Sequence, residues 1–109
     1  MHAGEEGEMA YWQAGVTVML KPVVNDPQGL AVEAGLRQMG YGGVRGVRVG
    51  KYIELALVAS TETEARAQIE AMCDRLLANP VIEDYAYMVD EAMPGSPLTD
   101  GLTEEEREA

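Results

Sequence analysis

GVRGVRVGKYIELALVA, residues 43–59, is the stretch whose reading decides the fold. Glycines at 43, 46 and 50 stand between β-branched residues. Val47 and Val49 share one face of a first arm, and Ile53, Leu55 and Leu57 share one face of a second. Alternation with period two marks a strand with one buried side. Two such arms about Gly50-Lys51 predict a β-hairpin. Val44 is out of phase with Val47 and Val49, which predicts a bulge near Gly46.

Working outward, Val16, Val18 and Leu20 alternate with Thr17, Met19 and Lys21, predicting a strand that Pro22 limits. Asn25-Asp26-Pro27-Gln28 predicts a helix start. The Asp26 carboxylate can accept a free amide of the first turn, and Pro27 lacks the N–H that the first helical position leaves unbonded. Val32, Gly35, Leu36 and Met39 recur at i, i+3, i+4 and i+7, so one stripe of this helix is expected to face a core. Gly40 supplies the left-handed residue that ends it.

On the other side of the hairpin, Thr61 and Glu64 have capping-box spacing, and Ala65, Ile69, Met72, Cys73 and Leu76 form a second helical stripe. Asn79-Pro80 stops that helix, because the residue before a proline is pushed out of the α region. VIEDYAYMV, residues 81–89, predicts a last strand with Tyr85, Tyr87 and Val89 on one face and Ile82, Ala86 and Met88 on the other. The order β-α-β-β-α-β predicts an α+β, ferredoxin-like βαββαβ sandwich, with a four-stranded antiparallel sheet and both helices on one face. Its other face would carry Met19, Tyr52, Ala56 and Val58. That is too apolar for a surface meeting only water, so pairing into dimers or tetramers is expected.

The chain has 109 residues, enough for one domain, and a formal net charge of −11. The charge sits at the ends: residues 1–14 hold three acids and no base, and residues 90–109 hold seven acids against Arg107. Residues 15–89 are nearly balanced, with nine acids and seven bases. The reading is a disordered leader at 1–14, a folded domain at 15–90 and an acidic flexible tail at 91–109. No basic surface suits nucleic acid, and no apolar run reaches the roughly 20 residues of a membrane helix. One cysteine excludes an internal disulfide framework and fits a cytoplasmic protein.

Catalytic groups do not converge. His2 lies in the leader, and Cys73 lies on an apolar stripe with no histidine to activate it. Glu83 and Asp84, as strand neighbours, point to opposite faces. Phosphate loops, dinucleotide fingerprints, CxxC and HExxH patterns are all missing. Lys21, Arg45, Arg48 and Lys51 are the one local concentration of positive charge; they could bind phosphate, meet an acidic partner surface or simply be solvated edge charges.

Three stretches, LKPVVNDPQGLAV (20–32), VRVGKYIELAL (47–57) and MCDRLLANPVIEDY (72–85), resemble the small PurS-type subunit of phosphoribosylformylglycinamidine (FGAM) synthase. The resemblance spans about residues 15–90. It implies a structural subunit of an ATP-dependent glutamine amidotransferase of de novo purine biosynthesis, with no catalysis from this chain alone. The implied partners are the chain itself, a glutaminase subunit that releases ammonia and a large synthetase subunit that uses it. The implied cofactors, ATP and magnesium, belong to the synthetase.

On that view the candidate contact residues are Asp26, Gln28, Arg45, Arg48, Lys51, Tyr52 and Tyr85; no catalytic, cofactor or metal residue is expected. Asp26, Pro27, Gly29, Asn79 and Pro80 are also fully accounted for as caps, turns and helix stops. A different class of function is a regulatory βαββαβ module binding a small molecule, which would need a polar pocket.

Overall fold

The alternation that starts the first strand reaches further toward the N-terminus than Val16, since Trp12 and Ala14 keep its phase. In the computed structural model, which describes residues 9–92, β1 accordingly spans Ala10–Leu20. Residues 10–14, expected in the leader, are thus its first half. Trp12, Ala14, Val16 and Val18 are all buried, and the Trp12 indole donates to the Ala59 carbonyl at 3.0 Å. The chain continues through α1 (Pro27–Gln38), β2 (Lys51–Ala59), α2 (Glu62–Met72) and β3 (Glu83–Glu91). The sheet has three strands, with β1 between β2 and β3 and both pairs antiparallel.

The expected hairpin does not form, and the sheet therefore has three strands among the described residues where four were expected. Its second arm is β2; its first arm, residues 44–49, pairs with no strand. The amides that would build its ladder are taken by carboxylates on and before α1: Val49 N–H donates to Asp26 Oδ2 at 2.9 Å and Val47 N–H to Glu33 at 3.3 Å. Gly50-Lys51 is not a turn. Lys51 already pairs with Val18, and Gly50 passes so close to β1 that a side chain there would lie 2.5 Å from the Val18 carbonyl oxygen. With no ladder there is no bulge at Gly46, which instead takes a left-handed φ of 68° in an unpaired segment.

Both helix starts follow the sequence. Asp26 Oδ1 accepts the Gly29 amide at 2.9 Å, with Pro27 at the first position of α1. Gly40, at φ 103°, closes it, with Gly40 N–H donating to Arg37 O and Tyr41 N–H to Leu36 O, each at 3.0 Å. Thr61 Oγ1 accepts the Glu64 amide at 3.1 Å. The Glu64 carboxylate reaches one residue further back than a regular capping box, to the Ser60 amide at 2.6 Å and its hydroxyl at 2.9 Å.

Among the described residues only α2 builds a layer on the sheet, packing on all three strands. Ala65, Ile69 and Cys73 are completely buried against the inner face formed by Trp12, Ala14, Val16, Val18, Leu57, Ala59 and Val89. Each large side chain so buried contributes about 1.5–3 kcal/mol. Beyond Met72 the helix widens into one turn, Cys73–Leu77, whose Ala78 amide reaches back five residues to Cys73 O at 3.0 Å. That widening moves the stripe by one position. Leu77 packs against the core while Leu76, expected inside, is 83% exposed.

The stripe of α1 was also expected to face a core, and it does not. Among the residues of α1 only Gly29 is buried, and Leu30, Val32 and the adjoining Met39 are 58%, 44% and 72% exposed. The periodicity is real, but among the described residues the stripe is left largely uncovered. Asn79 stops the second helix as expected, its side chain accepting the Val81 amide at 3.1 Å, and β3 begins at Glu83, two residues after the expected start.

Candidate partner interface

Asp26, expected as a contact residue, is instead an internal clasp. It is 6% exposed, and one carboxylate joins the start of α1 to Val49, with Arg48 Nε 3.9 Å away. The two amides, Gly29 first, and the Arg48 guanidinium hold its pKa below the usual carboxylate value. Arg48 completes the clasp by donating to the Leu20 and Lys21 carbonyls, both at 2.9 Å. Gly29 is required there, since a side chain would collide with the Val47 carbonyl and lie 2.7 Å from Asp26 Oδ2. Residues 20–29 and 47–50 therefore leave the sheet together and carry α1 with them.

The other candidates scatter. Gln28 and Lys51 line a cleft of about 200 Å³ with Val18, Leu20, Val49, Gly50 and Glu83, and Lys51 Nζ lies 3.9 Å from Glu83. Arg45 folds back on its own turn, donating to Gly42 O and Val44 O at 2.8 Å. Lys21, the fourth residue of the basic group, is tied to Asp84 at 2.6 Å. Glu83 and Asp84 do point to opposite faces, each to a different lysine.

Tyr52 lies on the outer face of the sheet, 65% exposed, its ring over Gly15, where any Cβ would sit 2.9 Å from the ring carbons. Gln13, Glu54, Met88 and Asp90 surround it in a shallow cleft of about 170 Å³. Met88 is 71% exposed. Tyr85 is on the opposite, inner face, where its hydroxyl donates to Asp74 at 3.2 Å. Burial first, then the Asp74 carboxylate, pushes its phenol up. It supports the last turn of α2 and does not join Tyr52.

Sequence reasoning missed three features. Glu33, which holds the Val47 amide, carries no sequence signal beyond its place on α1. Glu70 accepts from the Tyr87 hydroxyl across α2 and β3, and Arg66 lies 5.7 Å from the same ring. Gln68, Ala71, Met72, Arg75, Leu76 and Leu77 form an apolar groove of about 470 Å³ along the flank of α2. The exposed phase of Leu76 could not be read from spacing, because it depends on the widened turn.

Nothing in this arrangement activates a nucleophile. Cys73 is fully buried, and burial followed by Asp74 and Glu70 pushes its thiol up, away from thiolate. Among the described residues no group of three or more His, Cys, Asp or Glu could hold a metal ion. His2 and the acidic run after residue 92 lie outside the described residues.

A family model described as PurS, phosphoribosylformylglycinamidine (FGAM) synthase, matches residues 13–91. The PurS subunit of that synthase from Synechocystis is 54% identical over 74 residues, which are 68% of this chain and 74% of the relative. The structure of Bacillus subtilis PurS matches with a TM-score of 0.65 at 45% identity, covering 73% of this chain and 99% of that one. A chain in the structure of PurLQS from Thermotoga maritima matches with a TM-score of 0.65 at 32% identity, covering 75% of this chain and 98% of its own length.

Proposed function

Because the chain belongs to the PurS family of phosphoribosylformylglycinamidine synthase subunits, we propose that it joins the glutaminase subunit of that enzyme to its ATP-dependent synthetase subunit and supports passage of ammonia between them. The chain is a subunit of an enzyme of purine biosynthesis. Its own part is structural. Ammonia released into water would be protonated or lost, so the two active sites have to be held in a fixed relation, and a rigid non-catalytic piece can hold them. ATP and magnesium belong to the synthetase in this reading.

The observation that carries the proposal is the likeness to a chain of PurLQS over nearly that chain's whole length. The side chains agree with it: Asp26, Glu64 and Glu33 are spent on backbone amides, and the one described thiol is shielded. The exposed apolar residues on the outer face, Tyr52 and Met88, and along α1 support a second proposal, that the chain forms homodimers or tetramers. A cytoplasmic location fits as well; no described helix is long and apolar enough to cross a membrane.

Affinity purification of the chain from its native cell, at near-physiological salt with glutamine and Mg-ADP present, tests the assignment of partners. Recovery of both a large synthetase and a glutaminase is the expected result. Reproducible absence of either would overturn it.

A further inference from the structure

Most carboxylates among the described residues are spent on an amide, a tyrosine hydroxyl or a base of the same protomer, as Asp26, Glu70 and Asp84 are. Glu54 and Asp90 are exceptions. Both are exposed, and among the described residues neither has an ion-pair partner. Strand pairing brings them to one spot on the outer face: Glu54 and Met88 flank Gly15 of β1, and Asp90 flanks Gln13 one step along the same face. Tyr52 completes the group. Its ring lies on Gly15, and with the residue 65% exposed the other side of the ring is open to solvent. The resulting cleft of about 170 Å³ has no base among its described lining residues. It lies on the sheet itself, clear of the clasped arm of residues 20–50 that carries α1.

An open aromatic face attracts a cation through the ring quadrupole. Two carboxylates without a counter-charge beside it pull in the same direction. A guanidinium satisfies both at once, because it is planar enough to stack on the ring and its N–H groups fork toward carboxylates, whereas an ammonium is a compact, strongly hydrated point charge. The size of the cleft decides what carries the cation. Enclosing a free small ligand takes about 300 Å³ or more, while a single side chain presented by a neighbouring protein needs less. An exposed Tyr and Met inside a polar rim are also what the centre of a protein interface is made of. A second copy does not fit: two such faces in contact would set Glu54 and Asp90 of one against the same acids of the other. Of the two exposed surfaces credited to the homo-oligomer above, this one is therefore suited to a different chain.

We propose that the Tyr52 cleft receives an arginine side chain of one of the larger synthase subunits, its guanidinium stacked on Tyr52 and paired with Glu54 and Asp90. The inference rests on the proposed place of the chain between those subunits and deepens it by naming the contact.

Two measurements on the full-length chain test it. In the first, NMR follows the Tyr52 ring and the Met88 methyl while N-acetylarginine methylamide is added, with the uncharged citrulline analogue as control. Saturable shifts of both signals with arginine alone are expected, and the Met88 shift should vanish in Tyr52→Leu, which keeps a side chain over Gly15 without the ring. Equal responses to the two compounds, or none to either, would overturn the proposal. In the second, assembly with the purified synthetase and glutaminase, in glutamine and Mg-ADP, is compared for the wild type and for Glu54→Lys combined with Asp90→Lys. Assembly at least tenfold weaker is expected, with circular dichroism and self-association unchanged. A variant that assembles like the wild type overturns the cleft alone; a wild-type chain that does not assemble at all removes its place between the subunits, and the proposal with it.

Discussion

At residue 26 a single carboxylate receives two amides that are 20 positions apart in the chain, those of Gly29 and Val49, with a guanidinium beside it. A residue chosen as a surface contact is in fact the fastening of the arm. Its pKa is lowered on folding, so the stability it contributes is present in full above the ordinary value of 3.8 and is lost as pH falls through the lower folded value. Glu64 acts with the same sign through the Ser60 amide and hydroxyl. The expected outcome is that the urea midpoint falls on acidification between about pH 5 and pH 2, and that Asp26→Asn lowers the midpoint at neutral pH while making this acid-side fall shallower. An Asp26→Asn protein with an unchanged pH profile would show that the carboxylate's charge does not fasten the arm.

At the scale of elements, the two helices make opposite use of the same periodicity. Ile69 on α2 is fully buried, so Ile69→Ala is expected to cost about 2–5 kcal/mol in chemical unfolding. Leu76, one widened turn later, contributes little within the protomer. Leu76→Ala should change stability by no more than about 0.5 kcal/mol. The element types for β1, both helices and β3 were legible because caps, stops and alternation are local. The hairpin was not. Alternation in residues 44–49 shows that the segment could pair, but pairing was decided by Asp26 and Glu33, which are distant in sequence and compete for the Val49 and Val47 amides. The exposure of the α1 stripe was equally illegible, since spacing marks an apolar face and not what packs on it. Of the seven contact residues, Asp26 is buried in the clasp, Arg48 stays exposed but is tied to the Leu20 and Lys21 carbonyls, Tyr85 faces the core layer, and Tyr52 stands on the outer face of the sheet.

For the molecule as a whole, an α2-covered three-stranded sheet with a braced arm is a piece shaped for assembly, and its likeness to a chain of PurLQS supplies the context. Exposed apolar surface on the outer sheet face and along α1 would be a liability in an isolated monomer. Assembly with other chains, as proposed above, would cover such surface. The most direct test is reconstitution of the synthase from its purified subunits, with product formation followed once with glutamine and once with ammonia as nitrogen donor. Omission of this chain is expected to abolish glutamine-dependent synthesis and leave ammonia-dependent synthesis by the large subunit in place. Full glutamine-dependent synthesis without the chain, or loss of both reactions alike, would contradict the account.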